Sequence, residues 1–253
     1  MDALRILIVE DEGVSVEAAI NALRTAASAA IDVVSGPFEA IEKMKAESYD
    51  VALVDMLFRT ESDEFETRRR LGRIGLDGGQ LHQSGLAVLH AIAKLGLPTR
   101  PVIWSGGAPN RRIHMIFAHE VMGCRVMCAK EASGDLPRAV AAALQGSEYM
   151  HPVLGMYLTP DYARPLKETL LASPARLRIW RAMASGQHQH KAIAKSAGVK
   201  PSTIRKSMDD LRSKLLEFDP GYPANGSPST ELIRYVAQNW EFFLDDTVRA
   251  MFP

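Results

Sequence analysis

Four short apolar runs, each stopping abruptly at a residue able to do chemistry, set the terms for this chain. The most informative is Val51-Ala52-Leu53-Val54, followed at once by Asp55. A run of that length without polar alternation reads as a strand buried on both faces of a parallel sheet, which puts Asp55 at its C-terminal end. Leu4 to Val9 runs into Glu10, Asp11 and Glu12, Pro101 to Trp104 into Ser105, and Arg125 to Ala129 into Lys130. In open α/β sheets, ligands bind outside the carboxyl ends of the strands. Acids, a hydroxyl and an ammonium delivered to one such edge make a coherent site, although any one of them alone would mean little.

The stretches between these runs have a different period. Val14 to Ala29, Phe38 to Glu47, Leu86 to Leu95, Arg111 to Val121 and Leu136 to Leu144 carry apolar residues at helical spacing, and Ile31 to Val34 adds a short β-branched run. The alternation predicts a doubly wound, five-stranded parallel sheet with helices on both faces, completed within residues 1–147. One segment interrupts it. Residues 59–84 form a charged insert, starting Arg59-Thr60-Glu61-Ser62-Asp63-Glu64 and turning glycine-rich near Asp77-Gly78-Gly79. Loops of this length are functional or disordered more often than structural, so the insert is either a solvated excursion or a lid or partner-binding loop over the Asp55 edge.

At 253 residues, with 47% hydrophobic and 24% charged content, the chain is that of a soluble globular protein with room for two compact units. No apolar stretch reaches the roughly 20 residues that cross a bilayer, and no secretory signal pattern opens the sequence, so a cytoplasmic location is expected. Cys124 and Cys128 lie four apart in a predicted strand, with Cα atoms roughly 13 Å apart, too far for a disulfide. They read as small buried hydrophobes. Net charge is zero overall but unevenly spread. Between Ser173 and Asp219 ten basic residues face four acidic ones, a net +6 balanced by −6 elsewhere. A cationic module joined to an anionic one points to a polyanionic partner.

The order Glu10-Asp11, Asp55, Ser105, Lys130, together with Lys130-Glu131-Ala132-Ser133 and Gly146-Ser147-Glu148-Tyr149-Met150-His151-Pro152, resembles the receiver domain of bacterial two-component response regulators of the NarL/LuxR type. The resemblance implies an α/β, flavodoxin-like receiver in which Asp55 accepts a phosphoryl group from a histidine kinase or a small phosphodonor. It also implies Mg²⁺ held by Glu10, Asp11, Asp55 and the backbone carbonyl of Leu57, with Lys130 and Ser105 completing the catalytic set. Elementary chemistry agrees: Mg²⁺ is a hard ion that takes oxygen ligands, and crowded carboxylates need a cation. A carboxylate can serve as nucleophile while cations take up the transferred charge. Two positions depart from the family pattern. Arg59 stands where receivers commonly have proline, and Met127 stands at the aromatic switch position that works with Ser105. Met127 can fill the space but has no hydroxyl or ring to register a change.

Beyond a proline-punctuated connector at residues 148–172, Ser173-Pro174 reads as an N-cap with proline at the first helical position. Lys191 to Ala197 and Ser202 to Phe218 follow as two helices around Gly198-Val199-Lys200-Pro201, a helix-turn-helix arrangement. Lys191, Ile193-Ala194, Val199, Thr203-Ile204-Arg205 and Lys214-Leu215 resemble the LuxR-type DNA-binding domain, here residues 173–219. The expected core positions are Ile204, Met208, Leu211 and Leu215. Ser202-Thr203 is expected to cap the recognition helix, Arg205, Lys206 and Arg212 to face the major groove, and Lys191 and Lys195 to reach phosphates. His188 and His190 are spaced to face apart and read as surface residues. Residues 220–253, a Pro/Gly-rich turn and an amphipathic helix, lie outside the recognised pattern. Their apolar face must bury against the chain itself or a second copy.

Taken together, these features describe a receiver followed by a small all-α helix-turn-helix domain. The expected function is that of a regulator and not an enzyme: a DNA-binding transcription factor, expected to be a homodimer with no membrane partner, controlled through Asp55. Two alternatives stand beside it, a phosphate-independent regulator controlled by ligand or protein binding and a Mg²⁺-dependent phosphohydrolase using Asp55 as nucleophile.

Overall fold

The computed structural model describes residues 3–26, 28–58 and 84–252, so the expectations for residues 59–83 of the insert lie outside the described residues. The chain divides into two compact units, with the boundary between Leu158 and Thr159. The first alternates strands and helices: β1 (Leu4–Val9), α1 (Gly13–Ala26), β2 (Ala29–Val34), α2 (Pro37–Ala46), β3 (Val51–Val54), α3 (Gly85–Leu95), β4 (Arg100–Ser105), α4 (Arg112–Glu120), β5 (Val126–Ala129), α5 (Leu136–Gln145), β6 (Tyr149–Met150) and the single turn α6 (Pro152–Gly155).

All strand pairs are parallel, in the order β2-β1-β3-β4-β5-β6. The sheet thus has six strands where five were expected. The sixth is two residues long and lies in the segment expected as a connector, where Tyr149 N donates to Arg125 O and His151 N to Met127 O. Two residues are too few to show a periodicity. Strands β3 and β5 are buried along their whole length, as continuous apolar runs in a parallel sheet require. Ile6, Ile8, Leu53, Val102, Trp104 and Cys128 form one face of the core with Ala19 and Leu23 of α1 and Leu136, Ala139 and Val140 of α5. The alternate residues Leu7, Ala52, Ile103 and Met127, also buried, point to the opposite face. Cys124 and Cys128 are buried free thiols, and burial pushes them up to about 11 and about 12.

Register positions the site. Val9 pairs with both Val34 and Val54, so Glu10 and Asp55 emerge side by side, and Asp55 N donates to Val9 O. Chain order reverses between β1 and β3, the point at which doubly wound sheets open a crevice. Ser84, the last residue of the expected insert, caps α3 by accepting from Leu86 N at 3.2 Å. Gly85 lets that helix start against the β3 exit. A Cβ there would lie 2.1 Å from Asp55 O and 2.6 Å from Met56 Cε.

The second unit is helical: α7 (Pro174–Ala184), α8 (His190–Ala197), α9 (Ile204–Phe218), α10 (Pro228–Leu244) and α11 (Asp246–Met251). Ser173 caps α7 as expected, accepting from Arg176 N. Gly198, at φ +64°, ends α8 in the left-handed conformation that makes the tight turn possible. Residues 159–172, expected as connector, contribute a 3₁₀ turn at Leu166–Glu168, and Leu166, Leu170 and Leu171 are buried in this unit. The apolar face of α10 packs on α7 of its own unit: Trp180 stacks on Phe243 at 4.9 Å and meets Tyr235 at 5.9 Å. The tail is therefore the fourth major helix of the core. Among the described residues no helix is long and apolar enough to cross a membrane.

Candidate functional site

Asp55 is fully buried at the end of β3, and both its carboxylate oxygens are engaged. Oδ1 accepts from Met56 N at 2.7 Å and from Ser105 Oγ at 2.7 Å. Oδ2 accepts from Lys130 Nζ at 2.7 Å and from Arg111 Nη2 at 3.1 Å. Lys130 also pairs with Glu10 Oε2 at 2.5 Å, and its ammonium sits 5.6 Å from the centre of the Trp104 ring. Glu10 Oε1 accepts from Glu12 N, which fixes the turn after β1. Burial, and then the charge of Asp55, raise the Glu10 pKa above its ordinary value, while Lys130 pulls the other way.

The structure thus brings together Glu10, Asp55, Ser105 and Lys130. Asp11 joins them: Glu10, Asp11 and Asp55 each offer an oxygen, all within 4.8 Å of one another. An all-oxygen donor set of this size fits Mg²⁺. The Leu57 carbonyl is close by, at 3.3 Å from the same Arg111 Nη2. Met127 stands apart. It is fully buried in β5, paired with Ile103 of β4 and Met150 of β6, and makes no hydrogen bond to Asp55 or Ser105.

Two residues at this edge escape the sequence pattern. Arg111 ends a 3₁₀ turn, Pro109–Arg111, just before α4. Tyr157 lies near the end of the first unit, and its phenol donates to Gly107 O, two residues beyond Ser105. Tyr157 O in turn accepts from Arg112 Nε at 3.0 Å, and Gly107 N donates to Glu131 Oε1 at 3.3 Å. A Cβ on Gly107 would come within 3.1 Å of the phenol oxygen, so a larger residue there would have to push the phenol back. On α4, His114 is fully buried and its pKa is lowered to about 4, first by burial and then by Arg111, so it is neutral at pH 7.

In the helical unit Ile204, Met208, Leu211 and Leu215 are buried, the core face expected of α9. The ten basic residues of 173–219 fall into two sets. Arg176 pairs with Asp210, Arg178 donates to Ala197 O, Arg181 to Phe252 O, Arg212 pairs with Glu231 at 2.5 Å, and Lys214 pairs with Glu217. Lys191, Lys195, Lys200, Arg205 and Lys206 are exposed on α8, the turn and the start of α9, and take part in no ion pair among the described residues. Arg212, expected to face outward, is half-buried against the tail because Glu231 of α10 reaches it. Ser202 is exposed, and Thr203 does not cap α9 as expected. An N-cap oxygen reaches the next N–H groups from an extended backbone. Thr203 is at φ −100°, ψ −13°, and its hydroxyl turns back to donate to Lys200 O. His188 and His190 are exposed, with His190 Nε2 2.7 Å from Ser229 Oγ.

No protein-family model matches the chain, and no curated protein matches it in sequence. Solved structures match its fold. RcsB from Salmonella enterica serovar Typhimurium, bound to promoter P1flhDC in the presence of the phosphomimetic BeF3⁻, is 15% identical, with a TM-score of 0.58 over 94% of this chain and 99% of that one. A structure of two RcsB dimers bound to two parallel DNAs gives 15% identity and 0.57, over 94% and 99%. The Salmonella typhimurium RcsB response regulator gives 13% and 0.56, over 92% and 99%. The chain has the fold of these response regulators, a parallel α/β receiver followed by a helix-turn-helix unit.

Proposed function

We propose that the chain is a DNA-binding transcriptional response regulator in which Asp55 accepts a phosphoryl group and the occupancy of that site controls the helix-turn-helix unit. The observation that carries this reading is the Asp55 carboxylate, held between Ser105 on one oxygen and Lys130 on the other, inside a cluster of acids. A carboxylate oxygen attacks phosphorus. As the new P–O bond forms, the bond to a kinase imidazole or to a small phosphodonor breaks, and the leaving group keeps the electron pair. Lys130 offsets charge that moves onto the phosphoryl oxygens. Ser105, released from Oδ1, donates to one of them. Glu10, Asp11, Asp55 and the Leu57 carbonyl would hold Mg²⁺, which when bound supplies further neutralisation of those oxygens. Neutral His114 contributes no charge at pH 7.

In support of a DNA partner, Lys191, Lys195, Lys200, Arg205 and Lys206 form an exposed cationic surface around the helix-turn-helix turn. The RcsB structures of like fold are described as bound to DNA. In this reading Arg205 and Lys206 reach base edges from α9, Lys191 and Lys195 reach phosphates from α8, and two copies read paired half-sites. The chain then acts as a regulator and not as an enzyme.

The test is incubation of the full chain with acetyl phosphate and Mg²⁺, followed by a phosphate-affinity gel. Wild type is expected to shift and Asp55→Asn, equal in size but no nucleophile, is not. Equal shifts in both would defeat the assignment of Asp55. No shift in either, with native circular dichroism, would favour the second reading, a regulator that works without phosphate under ligand or protein control. One observation speaks for that reading: Arg111 and Lys130 already hold the Asp55 carboxylate. Steady release of inorganic phosphate from the donor would point instead to a phosphohydrolase.

A further inference from the structure

The acids at the β1 and β3 exits are matched by a cation that comes from elsewhere in the chain. Arg111 Nη2 lies 3.1 Å from Asp55 Oδ2 and 3.3 Å from Leu57 O. Asp55 and the Leu57 carbonyl are two of the groups assigned above to Mg²⁺. A guanidinium N–H and a divalent cation compete for the same lone pairs, and Asp55 Oδ2 already accepts from both Lys130 and Arg111. Charge leads to the same conclusion. Three carboxylates, Glu10, Asp11 and Asp55, surround two cations, Lys130 and Arg111, so most of the negative charge is already balanced. A divalent ion added beside an unmoved Arg111 would leave an excess of positive charge in a buried place.

The local backbone does not favour a cation at Arg111. The residue stands at the N-terminal end of α4, where the helix dipole is positive, and Arg112 follows it. Its buried Nε has no hydrogen-bond partner among the described residues. The guanidinium is held by Asp55 and Leu57 alone among the contacts described.

We propose that Arg111 is the resident counter-ion of the acidic pocket, exchanging with the divalent cation and setting the pocket's affinity for it. The proposal rests on the reading of Glu10, Asp11 and Asp55 as a Mg²⁺ site. Arg111 is then a positioning residue: with no metal present it keeps the Asp55 carboxylate paired, and metal entry requires it to swing away.

The experiment is Mg²⁺ titration of the full chain by calorimetry, with Mn²⁺ binding followed by the electron paramagnetic resonance of the free ion. Wild type is compared with Arg111→Gln and Arg111→Lys. Removing a charge-assisted competitor should tighten binding in Arg111→Gln on the order of tenfold or more. Arg111→Lys, which keeps the charge on a shorter side chain, should fall between, and it carries the comparison if the glutamine variant does not fold. Equal affinities in wild type and a folded variant would overturn the role of Arg111 and leave the metal site standing. Weaker binding in the variants would overturn it too, because Arg111 would then be supporting the metal. No saturable binding in any of the three proteins removes the metal site itself, and the proposal with it.

Discussion

Gly85 shows how narrowly the position of Asp55 is set. A methyl group there meets the Asp55 backbone carbonyl, which is fixed in the sheet and cannot yield as a side-chain tip could. Gly85→Ala is expected to cost about 1–3 kcal/mol of stability through overpacking, read as a lower urea midpoint, and, under the proposed function, to cut phosphoryl incorporation by displacing the Asp55 carboxylate. Gly13, which opens α1 with nothing near its Cβ position, is the control: Gly13→Ala should change stability by less than about 0.5 kcal/mol. His114 gives the protein an acid sensitivity of definite sign. Its folded pKa of about 4 lies below the ordinary 6.5, so the unfolded chain binds the proton first. The stability this represents is complete above pH 6.5 and is lost as pH falls towards 4, by up to roughly 3 kcal/mol. Urea unfolding at pH 7.5 and pH 4.5 should show a larger loss in wild type than in His114→Leu, and parallel losses would refute the assignment.

Helix α10 was only half legible as a sequence element. The spacing of Leu232, Val236 and Phe243 shows that one face must be covered, but an amphipathic pattern does not name what covers it. The structure supplies α7, through Trp180. Phe243→Ala is therefore expected to cost about 3–5 kcal/mol, and a chain ending at Asp219 should lose the cooperative melting of the helical unit, because Trp180 would face solvent. Retention of that transition would show that α7, α8 and α9 suffice. The β strands were legible for the opposite reason: in a parallel sheet buried on both faces, an unbroken apolar run has no other place to go, and Asp55, Ser105 and Lys130 followed from where those runs stop. Arg111 and Tyr157 were not, because they act from irregular segments across 56 and 50 residues of chain and obey no period. The cap at Thr203 failed in the same way, since residue type does not fix the backbone angles that a cap needs.

At the scale of the whole chain the net charge is zero, so any affinity for DNA must come from where charge is placed. The structure separates cations that hold the helical unit together from those left on its surface. Lys195→Ala should lower the slope of log affinity against log salt by about 0.9 and weaken all sequences alike. Arg212→Ala, despite carrying the same charge, should leave that slope unchanged and lower the melting temperature instead, since it breaks the pair with Glu231. A changed slope in Arg212→Ala would return that residue to the surface proposed to meet DNA. Finally, the bond from Tyr157 to Gly107 ties the outgoing end of the receiver to the loop that carries Ser105. A phenol in that position makes a natural beacon. With fluorotyrosine incorporated and Tyr157→Phe used to assign its line, the fluorine spectrum would report, from the exit of the first unit, each rearrangement that begins at the Asp55 carboxylate.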